Sequence, residues 1–228
     1  WYLVAFVMIG ATISGVTFIS VPGEVGNSGW SYFQFILGNF VGYWVIALVL
    51  LPLYYRRNLV SIYTYLDQRF GLSSYKTGSF FFILSQTIGA SFRLYLVAGV
   101  LQISFFFSLG VPFWVTVLST ITLIWLYTFK AGIKTVVWTD TLQTLFILLS
   151  VIVTVIVILQ QLDMSIPEMV STISNHPNSQ IFDWSWRSDT NFFKQFIAGI
   201  GITIVMTGLD QNMMQKNLTC KNQREAQK

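Results

Sequence analysis

Apolar residues along this chain are grouped into six long runs that are separated by short polar segments. A helix that crosses a bilayer needs about 20 consecutive, mainly apolar residues, and each run approaches or exceeds that length. The predicted helices cover residues 3–21, 30–54, 77–107, 111–129, 135–159 and 192–214. The pattern predicts an all-α polytopic membrane protein with about six transmembrane helices.

Composition and charge support a lipid environment and argue against nucleic acid as a partner. Apolar types make up 54% of the 228 residues and charged types only 10%, against about 25% in soluble domains. Ten of the 13 Lys and Arg residues lie in segments 55–76, 130–134 and 215–228. These segments fall on one side of the predicted bilayer, and an excess of basic loop residues marks the cytoplasmic side. The segment 59–70, which alternates apolar and polar residues, favours a short surface helix.

Signals for enzymatic chemistry are absent from the sequence. A single cysteine, Cys220, excludes an internal disulfide, and a single histidine, His176, lies in a polar loop. We therefore predict no enzyme, no metal centre and no cofactor other than a coupling ion. The chain starts without Met and ends in a polar stretch, which predicts an internal segment of a longer protein.

Arg93 and Asp140 stand out among the charged residues inside predicted spans, where a charge costs roughly 3 kcal/mol or more unless it is paired or functional. Arg93, near the middle of the third span, favours binding of an anionic solute, since a guanidinium forms two-point contacts with carboxylates. The alternative is that Arg93 pairs with carbonyls or with a carboxylate on the missing part of the protein. Asp140, near the start of the fifth span, suits sodium or a proton. Alternatively, it satisfies backbone N–H groups at a helix N-terminus.

Small and hydroxyl residues interrupt two of the spans. In the first span, Gly10, Ser14 and Thr17 share one helical face. In the sixth, glycines alternate with Thr203 and Thr207. Such residues allow close helix packing. They also favour helices broken at mid-membrane, whose freed carbonyls bind a cation, and two such helices separated by four regular ones indicate an inverted five-helix repeat.

Three stretches resemble the sodium:solute symporter family. Residues 131–143 (AGIKTVVWTDTLQ) resemble its conserved helix start, and residues 208–216 (GLDQNMMQK), followed by 225–228 (EAQK), resemble the end of its sixth core helix. Residues 13–14 and 18–19 are similar to its first core helix. The resemblance implies a leucine-transporter-type inverted-repeat core. The chain would hold the first five-helix repeat and the first helix of the second, with the remaining half of the transporter as its partner.

The resemblance also implies roles for individual residues. Gly10 and Ile13 match backbone carbonyls that bind the main sodium ion. Asp140 matches a carboxylate of a second sodium site or of ion transit. Ser14 and Thr17 match substrate-facing positions, and Arg93 matches the arginine that holds the substrate carboxylate in sialic acid symporters. These are expectations carried over from the family.

Two departures from the sugar-carrying members narrow the expected solute. Their second core helix contacts the sugar through a carboxylate or amide, whereas the gapless match here is Ile36, with Gln34 and Asn39 nearby. Thr203, Met206 and Thr207 stand where sugar carriers place an amide and an aromatic gate. We therefore predict that Gln34, Asn39, Thr203 and Met206 are further substrate-binding residues. The expected solute bears a carboxylate, and sialic acid is the first candidate.

The expected function is sodium-coupled import of a small organic solute across the cell membrane, with the bacterial inner membrane as the expected location. Three alternatives stay open: a symporter-like membrane domain of a signalling kinase, a symporter for sugars or other solutes, and a channel whose broken helices line a pore.

Overall fold

The described part of the protein, residues 2–13, 15–129 and 133–227 of a computed structural model, consists of helices joined by short turns, without a β-strand. The predicted all-α class is confirmed. The chain divides into two compact units, one formed by 1–62 and 139–228 and the other by 63–138. Helix α8 (Ile133–Gln161) contributes to both units.

The first unit contains most of the helices. Before the second unit the chain forms α1 (Tyr2–Thr12), α2 (Gly15–Ser28), a 3-10 turn (Gly29–Ser31), α3 (Tyr32–Val45), a π-helical turn (Ile46–Leu50) and α4 (Leu51–Arg56). After it follow α9 (Ile166–Asn175), a 3-10 turn (Pro177–Ser179), α10 (Phe192–Thr203), a π-helical turn (Ile204–Gly208), α11 (Gln211–Asn217) and α12 (Gln223–Ala226).

The second unit consists mainly of two helices with a polar contact between them. It contains α5 (Ile62–Phe70), α6 (Leu72–Leu101), a π-helical turn (Gln102–Phe106) and α7 (Phe113–Thr128). Helix α5 is the surface helix predicted for 59–70. At the end of α6, Gln102 Nε2 donates to Val111 O at 2.7 Å, and Gln102 Oε1 accepts from Thr116 Oγ1 at 2.5 Å. Amide and hydroxyl groups join membrane helices in this way because lipid offers them no other partner.

Within the described residues, fewer helices meet the length and hydropathy of a membrane span than the six predicted. Three helical runs in this part of the chain do: Gly15–Arg56, Leu72–Phe106 and Trp138–Gln161. The bent pair of Phe192–Gly208 and Gln211–Asn217 makes a fourth if it is one span. The difference arises because α1 and α7 have only 11 and 16 residues, and because helix continues past the predicted end of the first span at residue 21.

Both predicted interruptions are present. In the first span α1 ends at Thr12, Ile13 lies in a bend, and α2 begins at Gly15. In the sixth, the helix ends at Gly208 and α11 begins at Gln211, with the two axes bent by 72°. The last carbonyls of a helix have no intrahelical partner, so a helix end supplies acceptors for other donors or ions.

Glycines bring α3 and α10 into direct backbone contact. A Cβ added at Gly38 of α3 would lie 2.1 Å from Phe196 O, and one added at Gly199 of α10 would lie 2.2 Å from Phe35 O. One turn further along α3, a Cβ at Gly42 would lie 2.7 Å from Thr203 Cβ. Small residues permit this approach where larger ones would separate the helices. The predicted packing role of small residues is thus observed for the sixth span.

Candidate ion and solute site

The interrupted end of α1 packs against α8 through Gly10. Gly10 is buried, and a Cβ at this position would lie 1.7 Å from Thr144 Oγ1 and 3.1 Å from Thr144 Cα. Gln143 Nε2 donates to Gly10 O at 3.4 Å. The carbonyl that the resemblance assigns to sodium therefore lies against polar side chains of α8.

Asp140 lies on the same face of α8, since residues spaced by three and four are neighbours on a helix. Its carbonyl accepts from Thr144 Oγ1 at 2.7 Å. Its carboxylate Oδ2 lies 2.6 Å from Lys216 Nζ of α11, and each side chain of this ion pair is 20% exposed. Because α8 begins at Ile133 with no acidic residue in its first turn, the alternative of an N-terminal, backbone-satisfied aspartate does not hold.

Helix α11, which carries Lys216, is held at its start. Asp210 caps it by accepting from Met213 N at 3.0 Å. Gln211 Nε2 donates to Val60 O at 3.0 Å, and α11 also contacts α1. We use the name polar junction for Gly10, Asp140, Gln143, Thr144 and Lys216, which join α1, α8 and α11 within the first unit.

Two of the substrate-binding candidates meet at the contact of α3 and α10. With its amide oriented to satisfy both polar atoms, Asn39 donates to Thr203 Oγ1 and to Gly199 O at 3.0 Å each, and to Phe35 O at 3.3 Å. Thr203 is buried. The pair therefore joins the two helices, and contact of either residue with a solute stays a prediction.

Gln34 has a structural role that the sequence did not predict. Its side chain is fully buried, Nε2 donates to Thr190 O at 2.8 Å and Ser31 O at 3.2 Å, and Oε1 accepts from Asp183 N at 3.1 Å. The amide thus fastens the loop before α10 to the start of α3. Since these contacts use both amide hydrogens and the oxygen, a solute would have to displace part of this network.

The remaining first-unit candidates are not among the residues that define the polar junction. Thr17 is half-buried in α2, and Ile13 N donates to Ile9 O at 3.1 Å. Met206 lies in the π-helical turn and is 65% exposed. Ser14 lies outside the described residues. Their predicted roles stay predictions.

Arg93 belongs to the second unit, in α6. Its side chain is exposed, and within the described residues no carboxylate lies within ion-pair distance of it. Its Nη2 lies over Gly89, where an added Cβ would be 3.7 Å away. Pairing with a carboxylate on the missing part of the transporter, one alternative from the sequence, stays a prediction.

A polar cavity of about 570 Å³ lies beside the loop before α10. Asn27, Ser31, Asp183 and Asp189 are among its lining residues, and none of the predicted site residues lines it. Hydrogen bonds from Ser188, Thr190 and Ser185 hold the pKa of Asp183 below its usual range. This carboxylate is therefore engaged with its own loop.

Sequence reasoning missed Lys216, Gln143 and Thr144. Gln143 and Thr144 had a readable signal, because they stand three and four residues after Asp140. Lys216 had none, because its partner lies 76 residues away in the chain.

Interrupted apolar helices that meet at buried polar groups are typical of secondary transporters. The model of the sodium:solute symporter family matches residues 1–228. The chain therefore belongs to the sodium:solute symporter family, and it is a multi-pass membrane protein.

Several curated transporters are similar to this chain. The sodium/sialic acid symporter NanT of Aliivibrio fischeri is 31% identical over 193 residues, covering 81% of this chain and 36% of that protein. The human sodium/iodide cotransporter is 28% identical, covering 94% and 33%. The mouse sodium-coupled monocarboxylate transporter 1 is 26% identical, covering 98% and 36%. The chain spans about a third of the length of these relatives, which are named as transporters and not as enzymes.

Proposed function

We propose that the full-length protein is a sodium-coupled symporter that imports a small organic anion across the cell membrane, expected to be the bacterial inner membrane. Membership of the symporter family supports coupled transport. The observation that carries the proposal is the interruption of two apolar helices, with the broken end of α1 packed against the carboxylate-bearing face of α8.

The relatives support an anionic solute. Sialic acid, iodide and monocarboxylates, named for three of the relatives, are anions at neutral pH. Arg93, without a carboxylate partner in the described residues, supplies the matching charge. A carboxylate-bearing solute is our first candidate, because a guanidinium binds a carboxylate through two parallel hydrogen bonds.

Sodium supplies the driving force in this proposal. In this mechanism the backbone carbonyls of Gly10 and Ile13, at the interruption of α1, bind the ion, and the solute follows. An inward-directed charge gains about 2.3 kcal/mol per 100 mV of membrane potential. This energy accumulates the solute when ion and solute cross together.

Uptake by the full-length protein in proteoliposomes tests the proposal. Labelled sialic acid, pyruvate, iodide and glucose are offered with an inward sodium gradient and, separately, with potassium alone. We expect sodium-dependent uptake of a carboxylate and none of glucose. Equal uptake in potassium would refute sodium coupling, and uptake of glucose alone would refute the anion assignment.

Arg93→Ala tests the anion contact. We expect loss of carboxylate uptake, because the solute charge then has no partner, and partial recovery in Arg93→Lys, which restores the charge without the two-point geometry. Arg187→Ala, an exposed arginine in the loop before α10, is the matched control. If Arg93→Ala takes up the solute with normal affinity, Arg93 does not bind it.

A further inference from the structure

The ion pair of Asp140 and Lys216 joins α8 to the helix that follows the break in the sixth span. The two charged atoms are 2.6 Å apart, and both side chains are four-fifths buried. Only Oδ2 of the carboxylate is used, and Oδ1 accepts no hydrogen bond within the described residues. The carboxylate is thus neutralised by an internal cation while one of its oxygens stays available.

An ammonium group and a sodium ion can each neutralise the same carboxylate. Lysine presents a compact positive charge with three donors on a flexible stem. A second cation on this carboxylate would lie next to the ammonium, and in a partly buried site like charges repel strongly. Asp140 therefore binds sodium with its full affinity only when the Lys216 ammonium group has moved away from it.

We propose that Lys216 is a tethered cation that competes with sodium for Asp140 and so sets the sodium affinity of the polar junction. This inference rests on the proposed sodium-coupled function and adds Lys216 as the residue that adjusts the sodium affinity. When sodium binds Asp140, Lys216 is released and the contact between α8 and α11 opens. When sodium leaves, Lys216 returns and closes it.

The position of Lys216 makes this exchange relevant to the ion path. Helix α11 contacts α1, whose Gly10 carbonyl lies against Gln143, one turn from Asp140. Lys216 therefore belongs to the helix that packs against α1, which holds the predicted sodium carbonyls. The flexible lysine stem allows release without breaking the Asp210 cap or the Gln211 contact that anchor α11.

Direct sodium binding tests the competition without any solute. Radioactive sodium is titrated onto the purified full-length protein in nanodiscs for wild type, Lys216→Met, Lys216→Arg and the control Lys221→Met, an exposed lysine five residues on. Removing the tethered charge should lower the half-saturating sodium concentration about fivefold or more. Lys216→Arg and Lys221→Met should titrate like wild type. Unchanged or weaker sodium binding by Lys216→Met would overturn the proposal.

The double variant Asp140→Asn/Lys216→Met shows whether the increased sodium affinity of Lys216→Met comes from the Asp140 carboxylate. If sodium binds the released carboxylate, this variant loses the increased affinity. A gain that persists would mean that sodium binds elsewhere, which overturns the competition.

If Lys216→Met is too unstable for the binding titration, the shift of its unfolding temperature with sodium provides a second measurement. A ligand that binds only the folded state raises the unfolding temperature, so sodium should stabilise Lys216→Met more than wild type, and potassium should stabilise neither. Equal sodium shifts would overturn the proposal. Sodium-dependent uptake by wild type together with an unchanged Lys216→Met titration would sink this inference alone, whereas sodium-independent uptake would sink the proposed function as well.

Discussion

The glycine contact between α3 and α10 makes a sharp prediction about stability. Gly199→Ala places a methyl group 2.2 Å from Phe35 O, about 1 Å closer than an ordinary contact, and 3.1 Å from Asn39 N. The obstacle is backbone, so no rotamer change relieves it and the helices must separate. Overpacking of this kind costs about 1–3 kcal/mol, while alanine gains up to about 1 kcal/mol over glycine in a helix.

Gly201→Ala is the matched control in the same helix, because a Cβ at Gly201 meets nothing within 4 Å. It gains helix propensity without the clash, so it should be as stable as wild type or more stable. Thermal unfolding of the full-length variants in detergent compares the two. Because both variants gain the same helix propensity, we expect Gly199→Ala to unfold at a lower temperature than Gly201→Ala by the equivalent of about 1–3 kcal/mol. Equal unfolding temperatures would refute the close backbone contact.

The remaining predictions concern the loops. Gln34→Leu leaves the Thr190 carbonyl unpaired at a cost of about 1–3 kcal/mol, so protease should cleave the loop before α10 faster, and unchanged cleavage would argue against the anchor. Burial raises the pKa of the Cys220 thiol, so it should react with iodoacetamide only slowly until the protein is unfolded; rapid labelling of folded protein would contradict its burial. Hydrogen bonds from Ser165 lower the pKa of Glu168. These hydrogen bonds stabilise α9 above the unfolded pKa of Glu168, about 4.3, and this stabilisation is lost as pH falls through the folded pKa. Hydrogen exchange of the α9 amides, corrected for the intrinsic exchange rate, would detect the loss. Protection of these amides that does not change with acid would contradict the prediction.

The interruptions could be predicted from sequence because their cause is local. Glycine has no side chain to pack and lowers helix stability, and its clusters in the first and sixth spans coincide with the observed breaks. The end of the first span could not be predicted in the same way. Helix α2 continues through Pro22 and Gly23 to Ser28, although both residue types normally favour a helix end.

The ion pair shows what the sequence could not reveal. Asp140 stood out because a carboxylate in an apolar span needs a partner. Lys216 looked like one of many basic residues of a cytoplasmic segment, since the positive-inside rule counts charges without regard to their contacts. Only the packing of α11 near α8 shows that Lys216 neutralises Asp140.

Gln34 shows a second limit of sequence reasoning. Its place one turn into α3, near the positions that contact sugars in other members, favoured a solute contact. The structure shows its amide occupied by backbone groups of a loop some 150 residues later in the chain. Alternation of polar and apolar residues cannot distinguish a polar side chain that binds a solute from one that anchors a loop, because both lie on the buried face of a helix.

Coupling between solute and sodium fluxes tests the central claim most directly. Proteoliposomes with the full-length protein hold equal radioactive sodium on both sides, and an inward gradient of the carboxylate solute is then imposed. A symporter must carry sodium inward against its own rising gradient, because ion and solute cross together. We predict net sodium accumulation that disappears in Arg93→Ala; an unchanged sodium distribution while the solute enters would contradict the account.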